Sequence, residues 1–384
     1  MHDILIAGAG PAGSTAAREA GKKGLSVLLI DKETFPRPKP CGGGLSEKAL
    51  RYLEEPLPDG LKKKEVSGIR FRFGDYCLEG QAGTRIATMI SRAAFDHYLV
   101  RRAVDAGIAL HEGERALRYE ERPDGIRLFT SRGVRDGKYL IIAEGSQGPL
   151  TRQVRERDRS GRYGVSLVSE IPVERDRSPE GHSKTLPEIY FDALYGGYGW
   201  VFPQGDTFSV GIGTFTRHPA RARSIFRSFL NRCGFPPDAP ARGHVIPAGG
   251  FRRILRRSRV LLAGDAAGFV DPFSGEGIAY ALHSGRLAGQ AAADAVLSGD
   301  GEGPLVRYEN RCRLEFDRPF FYSRMTAKLF YAFPGPFFRA FAAHDELFRR
   351  FFLIPQYPAP YRDFLLWLLP RVPRYLLRRR GQPS

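Results

Sequence analysis

A glycine-rich turn near the start of the sequence has the spacing of a phosphate-binding motif. The segment GAGPAG contributes Gly8, Gly10 and Gly13 between an apolar run and a helical stretch. In such a turn the first glycine permits a tight bend, the second lets the backbone approach a pyrophosphate, and the third lets the helix pack on the strand. Asp31 ends the next apolar run, where its carboxylate suits a ribose hydroxyl. The spacing favours a bound dinucleotide over an ordinary strand-to-helix turn.

A second segment, LLAGDAAGFVDPFSGEGIAYAL, repeats this arrangement for another part of a ligand. An apolar strand is predicted to end just before Asp265, which puts the carboxylate where it accepts hydrogen bonds from sugar-like hydroxyls. Gly275 and Gly277 form a further turn, and a helix resumes at Ile278. The first backbone N–H groups of that helix would stabilise negative charge on a bound ring.

Three large rings alternate along the segment YGWVFP. Tyr198, Trp200 and Phe202 are spaced two residues apart, so a strand here places them on one face. Such a face lines an elongated apolar tunnel and suits a charged substrate poorly. The alternative is a strand that packs its rings in a core. Pro203 directly after the run predicts that the strand ends there, at a mouth or a turn.

Strands and helices must bring these distant groups together. The opening of the sequence indicates a βαβ unit, with a strand to Ala7, a helix to Ala20 and a strand to Asp31. Alternating apolar and polar residues over 66–90, and short apolar runs over 160–215, predict antiparallel strands. We therefore expect an α/β unit and a separate set of antiparallel strands.

Composition and charge limit the functional class. The 384 residues are 42% hydrophobic and 26% charged, which is typical of a globular protein of more than one domain. Cys41, Cys77, Cys233 and Cys312 have neither CxxC nor metal-ligand spacing, so we expect a reducing compartment and no metal. The net charge of +17 suits an anionic partner, and arginines that are merely solvated are an equal alternative. Without a recognised motif, we do not expect nucleic acid.

The glycine turns, Asp31 and the segments GDAAG and PFSGEGI together resemble the FAD-dependent oxidoreductases of the aromatic-hydroxylase-like fold. The segments PKPCGGGLS and YGWVFPQGDTFSVGIG are similar to the geranylgeranyl reductase family in particular, and the resemblance covers roughly residues 1–300. It implies bound FAD, with Asp265 on the ribityl chain and with Gly277 and Ile278 near the pyrimidine edge of the isoalloxazine.

Further positions carry over from the same family. Arg92 lies in SRAAFDHYL, which is similar to a family helix whose arginine contacts the cofactor, and Ala116 matches a position whose backbone approaches the adenine. Cys41 is implied to lie beside the flavin, where its thiol would either deliver a proton or pack under the ring. The chain departs from its relatives at Glu144-Gly145, where they carry Asp-Gly.

Each predicted site residue follows from these motifs. The residues predicted to contact FAD are Gly8, Gly10, Ala12, Gly13, Asp31, Cys41, Gly42, Gly44, Arg92, Ala116, Asp265, Gly275, Gly277 and Ile278. Tyr198, Trp200 and Phe202 are predicted to contact the substrate, Cys41 is predicted to be catalytic, and no metal ligand is predicted.

The resemblance implies an α/β fold with three parts: a Rossmann-like FAD-binding domain, an inserted antiparallel-sheet substrate domain and a C-terminal helical module. The predicted segments are FAD-binding parts at 1–70, 91–158 and 251–300, substrate-domain parts at 71–90 and 159–250, and the C-terminal module at 301–384.

The implied activity is saturation of C=C double bonds in a geranylgeranyl or other prenyl chain of a lipid, quinone or pigment. Hydride would come from flavin N5 and a proton from the protein. Because there is only one dinucleotide motif, the electron donor is either NAD(P)H that visits transiently or a small electron-carrier protein. Two alternatives stay open. One is a flavin-dependent monooxygenase or halogenase acting on an aromatic substrate, and the other is a non-catalytic flavin- or lipid-binding carrier.

The C-terminal module is rich in aromatic residues. From Phe316 to Trp367, 17 of 52 residues are Phe, Tyr or Trp, and arginines follow. This pattern predicts peripheral contact with an anionic membrane, or else a helical cap that buries its rings against the main body. Without an apolar run of about 18 residues or a cationic leader, we expect no spanning helix and no signal peptide. We expect a cytoplasmic protein, either free or held on the inner face of the membrane.

Overall fold

The computed structural model describes residues 1–173, 182–215, 221–354 and 360–377. Its strands are β1 (His2–Ala7), β2 (Val27–Ile30), β3 (Gly44–Ser46), β4 (Lys62–Val66), β5 (Gly68–Phe73), β6 (Tyr76–Gln81), β7 (Ala87–Ile90), β8 (Ala109–His111), β9 (Ala116–Arg122), β10 (Gly125–Thr130), β11 (Gly133–Ile142), β12 (Tyr163–Pro172), β13 (Glu188–Tyr190), β14 (Gly197–Pro203), β15 (Thr207–Thr214), β16 (Arg242–Pro247), β17 (Arg256–Arg257) and β18 (Val260–Leu262). Its helices are α1 (Pro11–Gly21), α2 (Glu47–Tyr52), α3 (Arg92–Asp105), α4 (Thr151–Val154), α5 (Ala222–Arg232), α6 (Ile278–Ser298), α7 (Gly303–Cys312), α8 (Arg318–Ala332), α9 (Pro334–Ala343), α10 (Asp345–Phe352), α11 (Pro360–Leu368) and α12 (Val372–Leu377).

A parallel sheet forms the centre of the first part of the fold. Its strands run in the order β18, β11, β1, β2 and β8, with β17 antiparallel at one edge. The apolar runs of β1, β2 and β18 are buried throughout, as expected for parallel strands covered on both faces. Helices α1 and α6 pack against each other beside this sheet. This arrangement confirms the predicted Rossmann-like unit.

A seven-stranded sheet forms the second part. Its order is β16, β12, β15, β14, β13, β5 and β6, and all neighbours are antiparallel except β13 and β5. One face packs on α5 through Phe226, Phe229 and Leu230, in a cluster that includes Val201 of β14. Because side chains alternate along a strand, Tyr198, Trp200 and Phe202 of β14 point to the opposite face. The predicted inserted antiparallel sheet is therefore present.

The structure also shows where the strands of 62–90 belong. Strands β5 and β6 pair within the seven-stranded sheet, while β4 and β7 join β3 in a separate three-stranded sheet. The chain thus crosses between sheets within the segment predicted as substrate-domain strands at 71–90. The division of the chain into six segments stays a prediction.

The C-terminal helices bury most of their rings against the edge of the seven-stranded sheet. Here "aromatic cluster" means the buried group of rings that α8–α11 form with β5, including Phe71, Phe330, Phe341 and Phe351. The rings of Phe330 and Phe351, for example, stack with centroids 5.1 Å apart. The helices therefore form a cap on the main body. Among the described residues, no helix combines the length and apolarity that crossing a bilayer requires.

Candidate cofactor and substrate site

Steric contacts in the first glycine turn leave no room for a side chain at two of its three glycines. Gly8 has a φ of +100°, and a Cβ there would lie 2.6 Å from the carbonyl carbon of Ala143. At Gly13 a Cβ would lie 2.9 Å from the carbonyl carbon of Gly8, so α1 packs directly on the turn. Gly10 differs, because the nearest atom to a Cβ there is Arg37 Nη2 at 3.7 Å. The turn therefore leaves open space for a ligand at Gly10.

Asp31 fixes this turn from the end of β2. Its Oδ2 accepts a hydrogen bond from the Ala9 N–H at 2.7 Å, and its Oδ1 accepts one from the Glu33 N–H at 2.9 Å. Each carboxylate oxygen has further lone pairs, so the group can still accept from a ribose hydroxyl.

Two arginines share one buried carboxylate beside the turn. Arg92 donates to Asp96 through two bonds of 2.9 and 2.8 Å, and Arg37 Nη2 lies 3.3 Å from Asp96 Oδ2. Burial lowers the pKa of Arg92, but the charge and hydrogen bonds of Asp96, with the neighbouring Cys41, raise it above its usual value. Arg37 Nη1 is buried, and none of the residues that the structure describes is its hydrogen-bond partner. That unpaired donor fits an anionic ligand.

A second charged group surrounds Asp265 after β18. The Nε2 atom of His244 on β16 lies 3.3 Å from Asp265 Oδ2, and Lys39 Nζ lies 3.2 Å from His244 Nδ1. Burial raises the pKa of Asp265, but the hydrogen bond and charge of His244, then Lys39 and Arg92, bring it below its usual value. Asp265 is therefore ionised and remains an acceptor for ligand hydroxyls.

The second glycine turn leads directly into α6. Helix α6 begins at Ile278, and Gly277 before it offers no side-chain cap, so the first N–H groups of the helix are available. Gly275 has a φ of +71°, and a Cβ there would lie 3.4 Å from the hydroxyl of Tyr198. Asp271 begins the turn, and its side chain accepts a hydrogen bond from the Ser274 N–H within the turn at 2.8 Å. The turn therefore presents a helix N-terminus beside an aromatic side chain.

The loop that contains Cys41 is held by contacts with β14, Gln204 and Arg92. Gln204 Nε2 donates to the Gly42 carbonyl at 2.9 Å, and a Cβ at Gly42 would lie 3.1 Å from the ring of Phe202. The Cys41 sulfur lies 3.4 Å from the Gly43 N–H that donates to it, and its thiol contacts Arg92. The thiol is thus held against a cation at the edge of the cavity.

The aromatic face of β14 completes the site. Ring centroids lie 6.1 Å apart for Tyr198 and Trp200 and 6.2 Å apart for Trp200 and Phe202. The indole lies over Gly211 on β15, where a Cβ would come within 2.6 Å of three ring atoms. Tyr331, from α8, lines the same space. The glycine at 211 therefore makes room for the indole.

One cavity of about 430 Å³ joins both glycine turns to the aromatic face. The predicted residues that line it are Gly8, Gly10, Ala12, Asp31, Cys41, Gly42, Arg92, Tyr198, Trp200, Phe202, Asp265, Gly275, Gly277 and Ile278. Gly13, Gly44 and Ala116 are not among the lining residues. Gly13 serves helix packing, Gly44 is exposed on β3, and Ala116 is buried at the start of β9.

The comparisons with known proteins agree with this geometry. A family model described as an FAD-binding domain matches residues 1–209, more than half of the chain. The menaquinone reductase of Mycobacterium tuberculosis is 33% identical over 75% of this chain and 76% of its own. Digeranylgeranylglycerophospholipid reductase 1 of Methanopyrus kandleri is 30% identical over 85% of this chain and 90% of its own. The chain belongs to the geranylgeranyl reductase family of FAD-dependent oxidoreductases.

Comparison with a solved structure agrees with this family assignment at the level of the fold. The geranylgeranyl bacteriochlorophyll reductase-like protein of Thermoplasma acidophilum aligns with a TM-score of 0.77 at 25% identity, over 86% of this chain and 87% of its own. Two solved flavin- or FAD-dependent halogenases, at 21% and 22% identity, share the fold alone. As a member of the reductase family, the protein is an oxidoreductase with FAD as its cofactor.

Several residues around the cavity were not predicted from the sequence. Arg37 and Lys39 flank prolines in the loop before Cys41, and two cations in a Pro/Gly-rich loop were an available signal for an anion site. His244 and Tyr331 reach the cavity from β16 and α8, and neither has a local sequence pattern that indicates this. Within the described ranges, no cluster of three or more His, Cys, Asp or Glu side chains suits a metal ion.

Proposed function

We propose that this protein saturates carbon–carbon double bonds of a prenyl chain, such as a geranylgeranyl group, with FAD as the hydride carrier. The observation that supports this most strongly is the direct contact between the second glycine turn and the aromatic face. The Tyr198 hydroxyl donates to the Ser274 carbonyl within that turn. Burial raises the pKa of Tyr198, so its hydroxyl keeps its proton and the contact persists. A cofactor at the turn and an apolar chain at the rings would therefore meet.

The cavity residues would hold the cofactor in sections. The pyrophosphate would lie at the open side of Gly10, where Arg37 Nη1 needs a partner. Asp31 would accept from the adenosine ribose and Asp265 from the ribityl hydroxyls. The N–H groups after Gly277 would face the pyrimidine edge of the isoalloxazine. Arg92, held by Asp96, would support the flavin beside Cys41.

The protein side of the reaction is orientation, water exclusion and proton supply. When bound and reduced, FAD supplies hydride from N5 of its isoalloxazine. Tyr198, Trp200 and Phe202 would guide the chain past the flavin, because apolar rings exclude water from the reacting carbons. We propose Cys41 as the proton donor to the second carbon, since its thiol lies in the cavity beside Arg92.

The relatives suggest two carriers for the prenyl chain. One is named for menaquinone and others are named for digeranylgeranylglycerophospholipid. We propose a substrate of this kind, a prenylated lipid, quinone or pigment, without choosing its head group. The electron donor would be NAD(P)H that visits transiently or a small electron-carrier protein.

Mass spectrometry of cellular lipids tests this function. Lipid extracts are compared from cells that express the wild-type chain, from cells that express Asp265→Ala, and from cells without the protein. Each two-electron saturation adds about two mass units to a prenyl lipid. We expect this change with the wild type and not with Asp265→Ala. Unchanged prenyl lipids, with an aromatic compound that gains oxygen or halogen instead, would favour the monooxygenase or halogenase alternative.

We also propose that part of the C-terminal module contacts an anionic membrane. The module buries most rings, but Leu366 and Leu369 keep 59% and 57% of their surface exposed. The guanidinium carbons of Arg350 and Arg371 lie 4.6 and 5.1 Å from the neighbouring Trp367 ring. Exposed apolar side chains among cations fit anionic head groups. The basic residues from 378 onward lie outside the described residues.

Vesicle flotation tests this contact. Leu366→Ser with Leu369→Ser is compared with a control that replaces Leu117 and Val134, each 44% exposed on the β9–β11 strands. We expect the first pair alone to reduce flotation with phosphatidylglycerol vesicles. Equal flotation of both pairs would contradict the proposed surface. Point substitutions are used because they leave α8, which lines the cavity through Tyr331, in place.

A further inference from the structure

A single buried carboxylate joins the second glycine turn to the C-terminal helices. Asp271 is 2% exposed, and its Oδ1 accepts from Phe273 N at 2.9 Å and Ser274 N at 2.8 Å. The same oxygen accepts from the Ser323 hydroxyl of α8 at 2.8 Å and from the Tyr361 hydroxyl of α11 at 3.0 Å. Ser323 and Tyr361 are both buried. The turn and the two helices therefore share one acceptor atom.

The ring of Phe273 makes a second connection. Its centroid lies 5.7 Å from that of Phe330, 5.8 Å from that of Phe351 and 5.9 Å from that of Tyr361. Its carbonyl accepts a hydrogen bond from the Tyr331 hydroxyl at 3.3 Å. The turn thus inserts its one aromatic residue into the aromatic cluster, and packed rings transmit displacement because cores resist deformation.

These contacts make the turn and the helices mutually dependent. If α8 or α11 moved away, Asp271 would lose a hydroxyl donor while its carboxylate stayed buried, and an under-bonded buried charge is costly. Gly275 and Gly277, a few residues farther along, line the cavity. A change in the helices therefore reaches the cofactor-facing backbone through a short, continuous set of contacts.

We propose that Asp271 is a positioning residue that couples cofactor binding at the Gly275–Ile278 turn to the order of α8 and α11. The proposal rests on the proposed place of the isoalloxazine at this turn. Because coupling between sites is reciprocal, a substrate that orders the helical cap would also tighten the cofactor. The helical cap, which lines the cavity through Tyr331, and the turn that would hold the flavin would then act as one unit.

Hydrogen exchange of the full-length wild type, with and without FAD, is the first test. FAD should slow exchange in 271–281, and also in 318–332 and 360–368, which the cofactor is not proposed to touch, although Tyr331 lines the cavity. Slower exchange at the turn without any change in the two helices would overturn the coupling and leave the proposed function intact. If FAD does not change exchange at the turn, both the coupling and the proposed function are overturned.

Variants that remove one hydroxyl each provide the second test. Ser323→Ala combined with Tyr361→Phe keeps the rings and the carboxylate but removes two donors. Tyr375→Phe is the control, because its ring packs on Trp367 and His344, away from the turn. We expect the double variant to weaken FAD binding about tenfold, to shift the visible spectrum of bound flavin and to lose the slowed exchange in α8 and α11. FAD affinity and spectrum equal to those of Tyr375→Phe would overturn the coupling.

Discussion

The pH dependence of stability should depend on Glu144, which follows β11 beside the first glycine turn. Its Oε1 accepts from the Thr151 N–H at 2.8 Å and from the Thr151 hydroxyl at 3.2 Å. Burial raises the pKa of this carboxyl to about 7 from its ordinary 4.5, against those hydrogen bonds, which lower it. Between pH 4.5 and about 7, the folded protein therefore holds a proton on Glu144 that the unfolded chain has released.

The sign and size of the effect follow from that difference. Well below pH 4.5 the carboxyl is neutral in both states and carries no pH-dependent penalty. As pH rises from 4.5 to about 7 the unfolded state is increasingly favoured, and above this window the penalty is constant. Since one pH unit between the two pKa values is worth about 1.4 kcal/mol, the full penalty is about 3 kcal/mol. Partial exposure of the side chain makes this an upper limit.

The substitution Glu144→Gln tests this without removing the acceptor oxygen for Thr151. We expect the FAD-free variant to gain stability over the wild type between pH 5 and 8, by up to about 3 kcal/mol. Urea unfolding at several pH values measures the difference as a shift in midpoint at constant slope. Glu346→Gln is the control, because that side chain is 61% exposed. A difference for Glu144→Gln that stays constant from pH 5 to 8 would refute the reasoning.

Three further predictions concern the cavity. Arg37→Gln should weaken FAD binding about tenfold or more, measured by quenching of flavin fluorescence, because a charged donor to the pyrophosphate is lost; unchanged affinity would contradict that role. Gly211→Ala should cost about 1–3 kcal/mol of stability and slow prenyl reduction, since its Cβ would overlap the Trp200 indole. Gly213→Ala is the matched control, because there the indole is 3.7 Å away. Cys41→Ala should still bind FAD with an unchanged visible spectrum, but it should reduce the prenyl chain more slowly because the proton donor is lost. A rate of prenyl reduction equal to that of the wild type would show that Cys41 is not the proton donor.

Local sequence patterns were sufficient to predict the cofactor turns. The conformation of Gly8 and the packing of Gly13 are decided within one strand–turn–helix unit, so their spacing carries the information. The same holds for the alternation of rings along β14, because strand geometry alone puts them on one face. In these cases the residues that determine the structure are neighbours in the chain.

Contacts between distant segments could not be predicted in the same way. His244 meets Asp265 only because β16 lies at the edge of a second sheet, and Asp271 meets Tyr361 across 90 residues. Neither pair leaves a periodic signal in the sequence. The aromatic richness of the C-terminal module was likewise ambiguous, because a membrane anchor and a buried cap have the same composition. In the structure, the aromatic side chains of the C-terminal helices pack on β5 and β6, so these helices form a cap.

The most direct test of the proposed function is a single-turnover reaction without oxygen. The purified protein is loaded with FAD, reduced chemically and mixed with a digeranylgeranyl lipid, which has no quinone ring that could accept the electrons instead, and flavin absorbance and lipid mass are followed together. We predict that the flavin is reoxidised by the lipid and that each turnover adds about two mass units to the prenyl chain. Flavin that stays reduced until oxygen is admitted, with a lipid of unchanged mass, would contradict prenyl reduction.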